Sequence, residues 1–364
     1  MSKTIAIFNN KGGVGKTNLC WNIADQLGRR GKKVLLIDFD PQCNLSIAVL
    51  GEEQFTQHLP TQNTPYGTTV RSYLQRFLQN TGGEELFLHK GPQTDQNVDL
   101  VAGDFWLNVY ADSLSLGGDL LSGTGISKYL VLTKIIEKAK EVSGEDYDYA
   151  FVDLPPSFGA LVRATFYSSD YFIVPCTSDN FSVYCAGLIG QMIPSFVRDW
   201  TTGLNRFKES NPHFSEFDHL GRPVFAGWIF NGFDTARKRR TKQEIESGVP
   251  EKERQLVRAD QTFKERLVEG ITNDLAGNLT EAKLGYNGVA TKLPADYLIG
   301  DIEDANVLIQ NSLWQSVPLG QLHTVQQLTN LQDRTAWIWN QLEQIDLLRT
   351  KFDKLCSRIE TVCV

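Results

Sequence analysis

Residues 4–17 read TIAIFNNKGGVGKT, and no other stretch of the chain restricts its fold as strongly. The uncharged run TIAIF, stopped by two asparagines, has the form of a strand buried in a parallel sheet. The next residues, Asn10-Lys11-Gly12-Gly13-Val14-Gly15-Lys16-Thr17, hold three glycines and two lysines. Glycine lets backbone N–H groups turn inward around an anion without a Cβ in the way. A helix is expected from Thr17 to Arg30, with Leu19, Ile23, Ala24 and Leu27 on its apolar side and Gly31 as its stop. Its positive dipole end falls on the same anion. KVLLID (33–38) is a second buried strand, so the opening of the chain spells a βαβ unit wrapped around a phosphate.

The alternation continues. VDLVAG (98–103), YAFVDLP (149–155), YFIVPC (171–176), VFAGWIFN (224–231) and YLIGDI (297–302) read as further strands, with FLH (87–89) as a short one. Helices are expected at RSYLQRFLQ and from Ser127 to Val142. The fold class is α/β, a doubly wound, mostly parallel sheet flanked by helices, carrying helical insertions. One domain is expected over 1–364, with insertions at 52–97 and 191–221. A charged, mostly helical insertion is expected at 235–295, and amphipathic C-terminal helices at 321–362, broken near 331–334.

The net charge of −7 excludes a globally basic protein, so any nucleic-acid contact must be local. The six cysteines form no CxxC pair and the five histidines no metal motif, which points to thiols in a reducing compartment. The first residues lack the form of a signal peptide, and no apolar run is long enough to span a membrane, so the cytoplasm is the expected location.

The chemistry expected of the loop is specific. Lys16 reaches the β- and γ-phosphates of a nucleotide and the Thr17 hydroxyl ligates Mg²⁺. LLIDFDPQCN ends a strand on Asp38 and Asp40, and an acid there can hold a magnesium water or orient the attacking one. In FVDLPPSFG, Asp153 emerges at a strand end, able to accept a hydrogen bond from Thr17 or from a magnesium water. Pro155, Pro156 and Gly159 shape a loop able to respond to the γ-phosphate. The metal candidates are therefore Thr17, Asp40 and Asp153.

KGGVGKT with its additional lysine, DFDPQ and DLPPS together resemble the motifs of the ParA/MinD ATPases, whose first loop is a deviant Walker A sequence. The resemblance covers residues 1–50, 98–112, 147–190, 222–234 and 297–320. It implies a P-loop ATPase with ATP and Mg²⁺ as cofactors. It also implies a homodimer on ATP binding, in which Lys11 reaches across to the partner's phosphates. Asp40 is then the residue of hydrolysis, with Asp38 supporting it. Lys11, Gly12, Gly13, Val14, Gly15, Lys16, Thr17 and Asn18 hold the nucleotide. Asn18 stands where the family usually has Thr, and its amide can donate to the α-phosphate. Asn231 matches a position that often contacts adenine, and is equally readable as a turn residue before Gly232. Segment 171–188 resembles the strand and loop beside the sandwich interface, and 299–322 the segment lining the base pocket.

Arg237, Lys238, Arg239, Arg240 and Lys242 form a basic cluster. Two readings stay open: a nonspecific DNA contact, or a solvated helix face balanced by nearby glutamates. The C-terminal helix mixes acids with bases, unlike the cationic face a membrane helix wants. The resemblance thus implies a partition or positioning ATPase, nucleoid-associated, with a ParB-like or other activating partner. The alternative is a regulatory ATPase of the same type that acts through a protein partner without DNA. A cluster-holding reductase is disfavoured because the switch segment carries no cysteine. GTP use is disfavoured because no NKxD-type motif occurs.

Overall fold

The computed structural model describes residues 2–79, 82–117, 120–123, 125–237, 254–328 and 336–364. Seven strands form one sheet: β1 (Lys3–Ile7), β2 (Val34–Asp38), β3 (Val98–Val101), β4 (Tyr149–Asp153), β5 (Tyr171–Cys176), β6 (Val224–Phe233) and β9 (Leu298–Glu303). Their order is β3-β2-β4-β1-β5-β6-β9, and every neighbouring pair is parallel. Two short strands, β7 (Thr235–Arg237) and β8 (Arg254–Leu256), pair antiparallel outside this sheet.

The strands are uncharged along most of their length because both faces are covered. Ile5 and Ile7 of β1 enter one core with Val34, Leu36 and Phe151, while Ala6, Leu35, Ile37, Ala150 and Val152 enter the other. On the first face lie α1 (Lys16–Arg29), α2 (Asn44–Leu50) and α3 (Glu52–Gln57). On the second lie α4 (Val70–Gln79), α5 (Leu107–Gly117), α6 (Ile126–Tyr129), α7 (Val131–Ser143), α8 (Ala160–Ser168) and α9 (Asn180–Ser210). Also on the second face, α10 (Arg258–Gly270) runs through a π-helical stretch, Ile271–Gly277, into α11 (Asn278–Glu281). The chain then returns to the first face with α12 (Asn306–Gln315) and α13 (Trp339–Val362).

Helix α13 buries Ile345, Leu348, Phe352, Leu355 and Ile359, each such side chain contributing roughly 1.5–3 kcal/mol. Leu355 lies where a Cβ on Gly300 of β9 would meet it at 2.9 Å, and Arg30 at the end of α1 pairs with Glu360 at 2.6 Å. The buried apolar face of this helix therefore packs against the sheet and α1. No described helix is long and apolar enough to cross a membrane. All six cysteines are buried and unpaired with one another.

Several expected elements differ. FLH makes only an isolated antiparallel bridge, His89 with Leu100, and no strand. The helix expected over 127–142 is two helices, interrupted at Leu130. Segment 191–221 is the greater part of the 31-residue helix α9 and its exit loop, with Pro194 inside the helix. The stretch expected to be mostly helical at 235–295 opens as the β7–β8 pair, and α11 ends at Glu281. Three-residue strands owe their form to each other, Thr235 facing Leu256 and Ala236 facing Gln255. Periodicity along one segment cannot detect that pairing. The C-terminal stretch begins as a 3-10 turn at Leu319–Thr324, and the expected break at 331–334 lies outside the described residues.

Candidate functional site

Parallel register sets the site. Asp38 at the end of β2 lies opposite Asp153 at the end of β4, and Asp153 lies opposite Ile7 of β1. The glycine loop leaves β1 from this same edge of the sheet, so the loop and both acids gather without any long-range adjustment. Such strand ends are where open α/β sheets bind ligands.

The loop is anchored at its start by Asn9, which is fully buried. Its Nδ2 donates to the Pro175 carbonyl at 2.7 Å, and its Oδ1 accepts the Lys11 N–H at 2.9 Å. Gly13 and Gly15 take φ of 74° and 82°, which favours residues without a Cβ. Lys16 Nζ arches back over the loop to the Lys11 carbonyl at 3.2 Å. Burial lowers the pKa of Lys16, while the carboxylates of Asp153 and Asp40 oppose that change. Thr17 Oγ1 donates to Asp153 Oδ2 at 2.7 Å. Asn231, near the end of β6, donates to the Val14 carbonyl at 2.9 Å.

The acids sit in a dry place. Asp38 and Asp153 are almost wholly buried and Asp40 nearly so. Burial pushes the Asp38 carboxyl well above the usual range, and the nearby Asp153 adds to it. Burial raises Asp153 likewise, opposed by the Thr17 hydroxyl and the Lys16 ammonium. Asp40 is raised by burial and held back by the Gln42 N–H, 2.9 Å from its Oδ1, and by Lys16. Asp40 and Asp153 share one lysine while Asp38 lies beside them with no cation of its own among these interactions, an arrangement that favours an added cation.

The residues present suit a magnesium nucleotide. Asn18 Nδ2, in the first turn of α1, is a buried donor with no hydrogen-bond partner, left free for a bound acceptor. Among the described residues no group of three or more His, Cys, Asp or Glu side chains forms a metal-holding cluster. Mg²⁺ needs none, because it keeps waters and takes phosphate oxygens beside one or two protein groups.

Most expected site residues converge here: Lys11, Gly12, Gly13, Val14, Gly15, Lys16, Thr17 and Asn18 on the loop, with Asp38, Asp40, Asp153 and Asn231 around it. Lys11 points elsewhere than its own loop. Its ammonium pairs with Asp179 and donates to Thr177 Oγ1 at 2.7 Å and Ser182 Oγ at 3.4 Å, all at the start of α9. Asp179 also caps that helix, its Oδ1 accepting the Ser182 N–H at 3.0 Å. Sequence reasoning missed these three partners, although Asp179 preceding a helical run is a capping signal. Of the basic cluster, Arg237 ends β7, which is not a strand of the loop's sheet, and Lys238, Arg239, Arg240 and Lys242 lie outside the described residues.

The chain resembles known proteins in sequence and in fold. A family model described as "AAA domain" matches residues 2–205. A virulence plasmid ParA family protein of Chlamydia psittaci is 30% identical over 182 residues, covering 50% of this chain and 59% of that protein. The chromosome-partitioning ATPase Soj of Treponema pallidum is 28% identical over 206 residues, covering 56% of this chain and 69% of its own length. The chain spans about three-fifths of the first curated relatives it matches, at 60%, 59% and 61% of their lengths. In fold it is similar to the ATP complex of McdA from Cyanothece, with a TM-score of 0.56 at 16% identity over 99% of this chain and 96% of that one. The chain belongs to the AAA domain family, among its ParA/MinD-like P-loop ATPases.

Proposed function

We propose that this chain is an ATP-driven switch of the partition type, hydrolysing ATP to ADP and phosphate with Mg²⁺. The observation that carries the reading is the Thr17–Asp153 hydrogen bond, which draws the loop's metal-binding hydroxyl onto a buried strand-end acid beside Lys16 and Asp40. Lys16 and the loop N–H groups hold the phosphates, and the Asn18 amide meets the α-phosphate. Thr17, Asp40 and Asp153 hold Mg²⁺, directly or through its waters. When bound, the ion neutralises charge building on the phosphate oxygens. Asp40 orients the attacking water and takes its proton toward the buried carboxylate cluster. Asn231, docked on Val14, borders the base.

In this reading Lys11 exchanges its contact with Asp179 for the phosphates of a second copy, so ATP binding and homodimerisation are one event. The dimer then engages DNA or another large cargo in the cytoplasm, on the nucleoid where DNA is bound, and an activating protein of the ParB kind stimulates hydrolysis. Arg237, Lys238, Arg239, Arg240 and Lys242 are the candidates for nonspecific DNA contact. Retardation of random duplex DNA with ATP but not ADP separates this from a regulator working only through proteins.

Phosphate release tests the chemistry. The wild type turns over ATP with Mg²⁺, and Asp40→Ala binds ATP but releases phosphate at least about tenfold more slowly. Unchanged turnover in Asp40→Ala would remove the role assigned to it.

A further inference from the structure

Asp38 does not stand alone behind Asp40. Its Oδ2 accepts the Ser46 N–H at 2.8 Å and the Ser46 hydroxyl at 2.6 Å. Its Oδ1 lies 3.3 Å from the Asp40 N–H. Having donated its proton, the Ser46 oxygen still accepts, and it takes the Gly103 N–H at 2.8 Å. One fully buried hydroxyl in α2 therefore ties the tip of β2 to the loop after β3.

The fit is close. A Cβ on Gly103 would stand 2.9 Å from Asp38 Cγ and 3.0 Å from its Oδ2, so a side chain there would drive the carboxylate out of place. The loop is itself pinned. Asp104 Oδ2 accepts the Thr69 hydroxyl at 2.6 Å, its Oδ1 accepts the Trp106 N–H at 2.8 Å, and the Val70 N–H donates to the Ala102 carbonyl at 2.7 Å. The start of α4, in the stretch between α3 and β3, is thereby fastened to the same point.

We propose that Ser46 is a positioning residue for hydrolysis, fixing Asp38 and, through it, the backbone that aims Asp40. The proposal rests on Asp40 orienting the attacking water. Removing the hydroxyl strips Asp38 Oδ2 of a hydrogen bond and leaves the Gly103 N–H buried without a partner. The Ser46 N–H remains as a tether, so the site loosens without collapsing. The phosphate-holding loop shares none of these bonds, so Lys16 and the main-chain amides keep their grip on the phosphates and the loss falls on the rate far more than on affinity.

The test is a cycle of Ser46→Ala, Asp40→Ala and the double variant. Each is measured by single-turnover hydrolysis and by calorimetric titration with Mg²⁺ and a non-hydrolysable ATP analogue. Ser46→Ala is expected to slow hydrolysis about tenfold, as loss of one strong hydrogen bond implies, with affinity within about twofold of wild type. The double variant is expected to be no slower than Asp40→Ala alone, because Ser46 acts only through Asp40. An unchanged rate in Ser46→Ala, a parallel loss of affinity, or additive losses in the double variant would each overturn the proposal. Full turnover in Asp40→Ala would instead refute the reading of the site itself.

Discussion

Gly15→Ala is the most searching change within the phosphate loop, because two separate costs fall on one added methyl. Gly15 holds φ 82° and ψ 21° as the residue before α1. An alanine in that left-handed region is disfavoured by roughly 1–2 kcal/mol. The new Cβ would also stand 2.3 Å from Asn231 Nδ2, too close for any real contact. Asn231 must swing away and give up its bond to the Val14 carbonyl, which costs about 1 kcal/mol more. The sum, about 2–3 kcal/mol, opposes the loop shape that receives the phosphates and corresponds to roughly 30- to 140-fold weaker nucleotide binding. Calorimetric titration with Mg²⁺ and ATP reads it directly. The two costs are separable. In Gly15→Ala with Asn231→Ala the clash is gone and the lost Asn231–Val14 bond, which each single variant loses, is counted only once beside the backbone cost, so the double variant should be better than the sum of the singles by about 1 kcal/mol. Gly12 is the internal control: its φ is not positive and an added Cβ meets nothing within 4 Å, so Gly12→Ala should leave the melting temperature of the free protein unchanged. Additive losses in the cycle, or wild-type affinity in Gly15→Ala, would refute the reasoning.

Two further outcomes follow from the same geometry. Lys11→Ala should bind ATP as a monomer yet fail to dimerise with it, as read by sedimentation velocity; a dimer in that variant would show that Lys11 is dispensable across the interface. The pH dependence of stability has a definite sign. Asp38 and Asp153 have native pKa values raised by burial, so the folded protein holds their protons more tightly than the unfolded chain. These groups impose no penalty below about pH 4, and stability falls as pH rises from there toward the raised native values. Thermal melts of the free protein should show this component as lower stability at neutral than at mildly acidic pH, and Mg²⁺ with ATP should flatten the slope; a slope of the opposite sign, or one the ligand leaves unchanged, would contradict it.

What the sequence made legible follows the range over which each feature acts. The loop was readable because its glycines, its lysines and the flanking strand and helix are contiguous, and their geometry is local. Asp153 was readable as an acid at the end of an apolar run, since strand ends in a parallel sheet converge by construction. The partners of Lys11 were not, because Thr177 and Asp179 lie 166 and 168 residues away along the chain. Ser46 looked like an ordinary helix residue, and its meaning comes from Gly103, 57 residues on. The β7–β8 pair was hidden for a related reason: charge density there suggested helix, while the pairing that makes strands of it joins residues on opposite sides of a long connection.

The central claim is that main-chain amides after β1, with Lys16 among them, grip a triphosphate while Thr17 and the acids at two neighbouring strand tips receive the metal. Equilibrium binding of ATP to the purified chain, with Mg²⁺ and with the ion chelated, measures this most directly. Saturable binding that weakens on chelation and is abolished in Lys16→Ala is the expected result. No detectable affinity for ATP in the presence of Mg²⁺, or undiminished affinity in Lys16→Ala, would contradict it.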